Sequence, residues 1–382
     1  MTIKPLNNLL ASALVLWFAM PVSAAAPFRK AKIYQVGLEP QQVIAADFNN
    51  DGKLDLATVD FTSLDVSILL GNGDGAFKAA RKFSTTLDPQ ALAAGDFNGD
   101  GNLDLAVAEY GVGASEVAIF LGKGDGTFTA GPIYKSASLP YDVAVADFNG
   151  DGKLDLAIAN NGNNTVGVMF GNGDGTFQKP VKYHAPQPER VLAVDLNKDG
   201  HPDLAVLAYC GPHPKVCASG AVEVLLNNGT GAFGPPRYFN VKGVGPDGIA
   251  AADFNQDGNI DLVVANNNFQ APSTVAVLLG KGDGTFKSSK NYAVGSGPAG
   301  IAVADFNGDG KLDLAVANTG SNNVSLLYGR GNGTFRPAQN ITFAVGTLPI
   351  SVATGDFDKD KAPDLAVALD YANEVAILLN TR

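Results

Sequence analysis

Hydrophobic and polar positions recur along this chain in a short, fixed order. Residues 299–305 (AGIAVAD) alternate and are built of small side chains, which predicts a strand against a crowded neighbour. An acidic, glycine-bearing stretch follows, and the chain then turns apolar over 312–318 (LDLAVAN). A second apolar run, 323–329 (NVSLLYG), ends in GRGNGTF, and 335–346 (FRPAQNITFAVG) is looser and more polar. The pattern predicts four short strands joined by turns, with no helical period.

The same order is spelled seven times. The acidic stretch reads DFNNDGKLDLA from Asp47, DFNGDGNLDLA from Asp96, DFNGDGKLDLA from Asp147 and DLNKDGHPDLA from Asp195. It returns as DFNQDGNIDLV from Asp253, DFNGDGKLDLA from Asp305 and DFDKDKAPDLA from Asp356. A period of roughly fifty residues implies units that cannot bury their own faces singly. Four-stranded antiparallel units set around an axis protect their edges by radial repetition. The expected fold is all-β, a seven-bladed β-propeller. Its blades would run over 37–86, 87–137, 138–185, 186–241, 242–294, 295–345 and 346–382, the last completed by 25–36. The final unit stops after its third strand (NEVAILLNTR), whereas 28–40 (FRKAKIYQVGLEP) matches the fourth strand of other units, such as 286–298. The N-terminal strand should therefore join the last blade and close the ring.

The ends and the cysteines change the picture next. Lys4, the apolar run LLASALVLWFAM and the small residues before Ala24 have the three-part form of an export signal, residues 1–24. The run is too short to span a bilayer, and no later stretch is long enough. A secreted, periplasmic or cell-surface location is expected. Cys210 and Cys217 lie in one stretch (YCGPHPKVC), and in an exported chain that pair reads as a local disulfide.

Charge and the acidic turns belong together. With the first Asp as position 1, the oxygens fall at 1, 3, 5, 7 (a backbone carbonyl) and 9. The residues are Asp47, Asn49, Asp51, Lys53 and Asp55; Asp96, Asn98, Asp100, Asn102 and Asp104; and Asp147, Asn149, Asp151, Lys153 and Asp155. The fourth to sixth copies give Asp195, Asn197, Asp199, His201 and Asp203; Asp253, Asn255, Asp257, Asn259 and Asp261; and Asp305, Asn307, Asp309, Lys311 and Asp313. The last has Asp356, Asp358, Asp360 and Asp364. Calcium takes six to eight oxygens from such alternating positions, and a glycine at position 6 permits the sharp bend. A solvated Asx turn is the alternative, but three carboxylates within nine residues repel one another unless a cation lies among them. Up to seven Ca²⁺ are therefore expected. The last loop departs from the pattern, with Lys361 in place of glycine. In the fourth, His201 would offer only its carbonyl, its side chain pointing outward.

These turns hold 22 of the 38 acidic residues in a chain of net charge −11. Lys4 leaves with the leader, and six divalent ions would then neutralise the remainder. A nucleic-acid partner is excluded, since phosphate binding needs a basic face. The second motif, GNGDGTF and its variants from Gly71, Gly122, Gly171, Asn227, Gly280 and Gly329, has a hairpin spelling, and its Asp is replaced by Thr230 and Asn332 in the fourth and sixth copies.

Together DFNGDGKLDLAVAN and VSLLYGRGNGTF resemble the FG-GAP, or VCBS-type, repeats of the integrin α-subunit propeller and of many exported bacterial proteins. The resemblance implies calcium in the turns between the first and second strands of each blade, all on one face, with ligands docking on the opposite face. Fold does not fix function, and two readings follow.

In the first, the chain is a non-catalytic recognition or adhesion module for a glycan or an extracellular protein. The variable loops 59–65, 108–116, 160–165, 209–217, 266–274, 318–323 and 369–374 would contribute Phe61, Tyr110, Tyr209, Phe269 and Tyr371. In the second, it is a propeller-type polysaccharide lyase or sugar-processing enzyme. The cluster offered there is Tyr183, His184, Glu189, Arg190 and His213, in neighbouring loops of blades 3 and 4, since a lyase needs a base and a charge-neutralising group together.

Overall fold

The computed structural model describes residues 28–111, 115–135, 138–209, 219–267 and 272–382. Cys210, Cys217, His213, Phe269 and the leader lie outside the described residues.

The described residues form seven four-stranded antiparallel sheets and no α-helix. Each sheet follows the predicted order. In the sixth, Pro298–Ala304 pairs with Asp313–Asn318, that strand with Asn323–Leu327, and the last with Gln339–Thr342. The first strands line a central channel. They are Pro40–Ala46, Asp88–Gly95, Pro140–Ala146, Pro188–Val194, Pro246–Ala252, Pro298–Ala304 and Pro349–Gly355. Each touches the next around the axis, and Pro349–Gly355 returns to Pro40–Ala46, so the ring is closed. Crowding selects small residues here: a Cβ on Gly300 would lie 2.8 Å from the Ser351 Cα of the next blade.

Closure uses the N-terminus as expected. Lys32–Gln35 pairs with Glu374–Leu378, in the register Lys32 to Ile377 and Gln35 to Glu374. It is thereby the fourth strand of the last sheet.

The core is distributed among seven seams between neighbouring sheets, one apolar cluster to each. Second strands such as Asp313–Asn318 are buried at every residue, whereas fourth strands such as Gln339–Thr342 are largely exposed. This gradient runs from the packed middle of each blade to its wet rim. Two phenylalanines of the repeat meet across most seams. Phe97 packs edge-on against Phe177 at 5.4 Å, Phe254 against Phe335 at 5.6 Å and Phe357 against Phe77 at 5.5 Å. Each such ring removes its apolar area from water, worth about 1.5–3 kcal/mol, and the edge-to-face geometry adds about 0.5–1.5 kcal/mol.

Candidate functional site

All seven acidic loops join a first strand to a second strand, so they lie on one face. Loop geometry follows from residue type. Positions 4 and 6 take left-handed backbone, φ 72° at Gly308 and 77° at Gly310 in the sixth loop. That conformation lets the turn's amides point inward. The Asp305 carboxylate accepts hydrogen bonds from the N–H of Gly308 (2.6 Å), Asp309 (3.1 Å) and Gly310 (2.8 Å). Asn307 Oδ1 accepts from Asp309 N–H at 2.9 Å, and Asp309 Oδ1 from Lys311 N–H at 3.1 Å. The loop is thus a nested series of Asx turns.

The ninth-position aspartates stand apart, being fully buried in every copy. Asp155 Oδ2 accepts from Phe148 N–H at 2.9 Å, within its own loop, and Oδ1 from Gly171 N–H at 2.8 Å, at the start of the GNGDGTF turn. The pair of bonds recurs in all seven blades, with Asn227 or Asn380 replacing the glycine in the fourth and seventh. Burial pushes these carboxyls up, and the other loop carboxylates add to it; Asp55, Asp261, Asp313 and Asp364 reach about 6. In the sequence this residue reads only as the last of the loop's oxygen-bearing positions. It also ties the acidic loop to the second motif.

The second motif in turn ties one blade to the next. Its glycine N–H donates to the position-2 carbonyl of the preceding blade's acidic loop: Gly126 to Phe48 at 3.1 Å, Gly175 to Phe97 at 2.9 Å, Gly284 to Leu196 at 3.0 Å. Gly333 to Phe254 and Gly75 to Phe357 continue the series. At the two remaining seams the side-chain amides of Asn227 and Asn380 reach Phe148 O and Phe306 O, at 2.8 and 2.9 Å. The acidic loops therefore form one hydrogen-bonded circle.

The donor set fits a hard divalent cation, being oxygen throughout. In the last loop Asp356, Asp358 and Asp364 bring carboxylate oxygens within 4.8 Å of one another. Positions 1, 3 and 9 thus converge, and the other six loops have Asp, Asn and Asp there. Each Asp155 oxygen accepts a single N–H and so keeps a lone pair for an ion. Lys361 does not distort its turn: its φ of 73° matches the 74–86° of the glycines at position 6. A Cβ at most of those glycines would meet nothing within 4 Å, so the position constrains φ and not space. His201 N–H donates to Asp199 Oδ1 at 2.9 Å, as the other position-7 amides do.

The opposite face corrects the proposed blade 3/4 cluster. His184 ends the outermost strand of blade 3, Val181–His184, and is exposed. Tyr183 points into the seam, packs on Phe233 at 5.2 Å and accepts a hydrogen bond from Phe233 N–H at 3.3 Å. Glu189 and Arg190 lie on the innermost strand of blade 4. Radial placement separates residues that adjacent loops seemed to unite. Arg190 is also tied down: Nε donates to Asp247 O at 3.0 Å, and Nη2 pairs with Asp247 Oδ1 at 3.2 Å. Burial lifts Glu189 to about 7, the Asp247 charge adding to it.

Of the loop aromatics, Tyr371 is 67% exposed. Tyr110 packs edge-on against Tyr141 at 6.4 Å, and Tyr141, Tyr209, Glu189 and Arg190 share a hollow at the channel mouth. The sequence reading missed Tyr141. Its signal was available: after the proline that opens most first strands, the next residue changes in nearly every blade, through Gln41, Gln90, Tyr141, Glu189, Asp247, Ala299 and Ile350.

A family profile described as the FG-GAP-like repeat matches residues 47–107, 105–158, 147–206, 215–264, 253–316 and 305–367. The phosphatidylinositol-glycan-specific phospholipase D of Rattus norvegicus is 29% identical over 150 residues, covering 34% of this chain and 18% of that protein. Cartilage acidic protein 1 of Xenopus tropicalis is 29% identical over 174 residues, 43% of this chain and 27% of the relative. The chain thus spans about a quarter or less of these curated relatives. Among solved structures, BBS1N in complex with ARL6DN superposes with a TM-score of 0.64 at 12% identity, covering 93% of this chain and 97% of that one. A likeness at that identity concerns the fold alone.

Proposed function

Because the chain belongs to the FG-GAP-like repeat family, we propose that it is an exported calcium-binding propeller that recognises a glycan or an extracellular protein without catalysing a reaction. The observation carrying this reading is the contrast between the two faces. On one, seven near-identical oxygen-lined loops are chained into a circle. On the other, the connections differ from blade to blade, as recognition loops on a rigid scaffold do.

Positions 1, 3, 5 and 9 of each loop, with the position-7 carbonyl, would hold up to seven Ca²⁺. The ion would neutralise carboxylates packed within a few ångströms and lock the circle. The separation of His184 from Glu189 and Arg190 argues against the lyase alternative. The phospholipase relative does not favour an enzyme either, since the match covers 18% of it. No helix among the described residues is long and apolar enough to cross a membrane.

The mature protein should lose thermal stability when calcium is chelated and regain it on adding calcium back, with binding measured in parallel by calorimetry. An unchanged melting temperature and no calcium heat would remove the metal from this reading. A panel of polysaccharides, scored for retention and for chain shortening, separates recognition from catalysis. Shortening would restore the enzyme.

A further inference from the structure

One seam gathers basic side chains on this acidic chain. Between the fourth strand of blade 5, Lys290–Ala293, and the 3–4 turn of blade 6 lies a groove of about 660 Å³. Lys290, Arg330 and Arg336 line it, all three exposed. At comparable seams a rim cation meets a turn bearing an aspartate: Arg81 Nη1 donates to Asp125 O at 3.4 Å, and Arg237 Nη1 to Asp283 O at 3.2 Å. In blade 6 the equivalent turn residue is Asn332, so the acid is missing where two arginines have been added.

A second observation is independent of charge. At three sibling seams the fourth-strand tyrosine hydroxyl accepts the N–H of the facing phenylalanine, Tyr34 from Phe77, Tyr134 from Phe177 and Tyr183 from Phe233. Tyr292 packs on Phe335 at 5.5 Å, yet its hydroxyl has no partner, and neither has the neighbouring Asn291 Oδ1. Both residues line the groove. Buried polar atoms without partners are uncommon, and here they accompany a cationic wall.

We propose that this groove binds a carboxylate-bearing polysaccharide, a proposal that rests on the recognition reading above. Guanidinium forks match the planar, two-oxygen geometry of a carboxylate. Arg330 Nη1 donates to Phe335 O at 2.7 Å, which fixes that side chain on the groove wall and leaves its remaining N–H groups for a ligand. Lys290, held over the Tyr292 ring at 5.3 Å, adds a third charge. Asn340, exposed on the groove wall, offers its amide N–H groups to sugar hydroxyls. The volume lies in the range of ligand sites. A protein partner is less well served, because the largest apolar side chain of the wall, Phe335, is only 3% exposed and offers no anchor.

The test is affinity electrophoresis of the mature protein, at fixed calcium and 0.15 M salt, through gels containing polygalacturonate, dextran or dextran sulfate. Polygalacturonate should retard the protein and dextran should not. The double variant Arg330→Ser/Arg336→Ser should bind at least about tenfold more weakly. Arg237→Ser, at another seam, should behave as the parent, and equal melting temperatures would show that all variants fold. Undiminished retention of the double variant overturns the proposal. So does retention by dextran sulfate but not polygalacturonate, which discards the carboxylate. Equal retention by dextran sinks this groove and leaves the general recognition reading intact, whereas retention by no polymer, with the calcium response preserved, overturns the groove and turns that reading towards a protein partner.

Discussion

Glu223 sits in the third strand of blade 4, fully buried, where the first and sixth blades carry Ser67 and Ser325. It faces Val206 on one neighbouring strand and Tyr238 on the other. Burial raises its pKa to about 8. For an acid so shifted, the unfolded chain ionises first, near 4.5, so its contribution is intact below that pH and is lost as pH rises towards 8. Glu223→Gln removes the titration. The variant should gain stability relative to the parent at pH 8 compared with pH 5, read as a difference of melting temperatures. An equal difference at both pH values would mean that the carboxyl is not titrating there. Nothing in the sequence marked this residue, because burial on both sheet faces cannot be told from spacing alone. Lys361 shows the converse: its departure from glycine was plain in the sequence, but that the turn keeps its φ was not.

At the scale of an element, the acidic loop and the GNGDGTF turn read as two separate motifs, a cage and a hairpin. They are one unit, since the ninth Asp of the first holds the opening amide of the second. Asp155→Ala would leave the Phe148 and Gly171 amides buried without acceptors, at a cost of about 1–3 kcal/mol each. Urea denaturation should show a loss of about 3 kcal/mol both with calcium and with a chelator. A loss seen only with calcium would make Asp155 a ligand and nothing more. The coupling was illegible because it joins residues across two intervening strands, and periodicity reports neighbours in sequence only.

For the whole molecule, closure is the property to test. Lys32–Gln35 supplies the outer strand of the last sheet, Phe28 packs on Phe306 at 6.0 Å, and Val36 enters the seam with blade 1. Removing residues 28–36 should lower the melting temperature and expose the edge of Glu374–Leu378 to pairing with another copy. Light scattering after gel filtration would then report dimers or larger species. A truncated chain that stayed monomeric with its melting point unchanged would show that the ring is held by its inner strands alone.

The sequence by itself determined the number of blades, the four strands of each and the completion of the last by the N-terminus. Those features rest on local alternation, on turn residues and on a period, and all three are written along the chain. It also marked every acidic position. What only the tertiary structure decided is radial and lateral. A residue's distance from the axis split His184 from Glu189 and Arg190, and the meeting of neighbouring blades made the amide circle and the basic groove beside Tyr292. Such relations depend on how whole sheets pack across a seam, where side chains some fifty residues apart become neighbours.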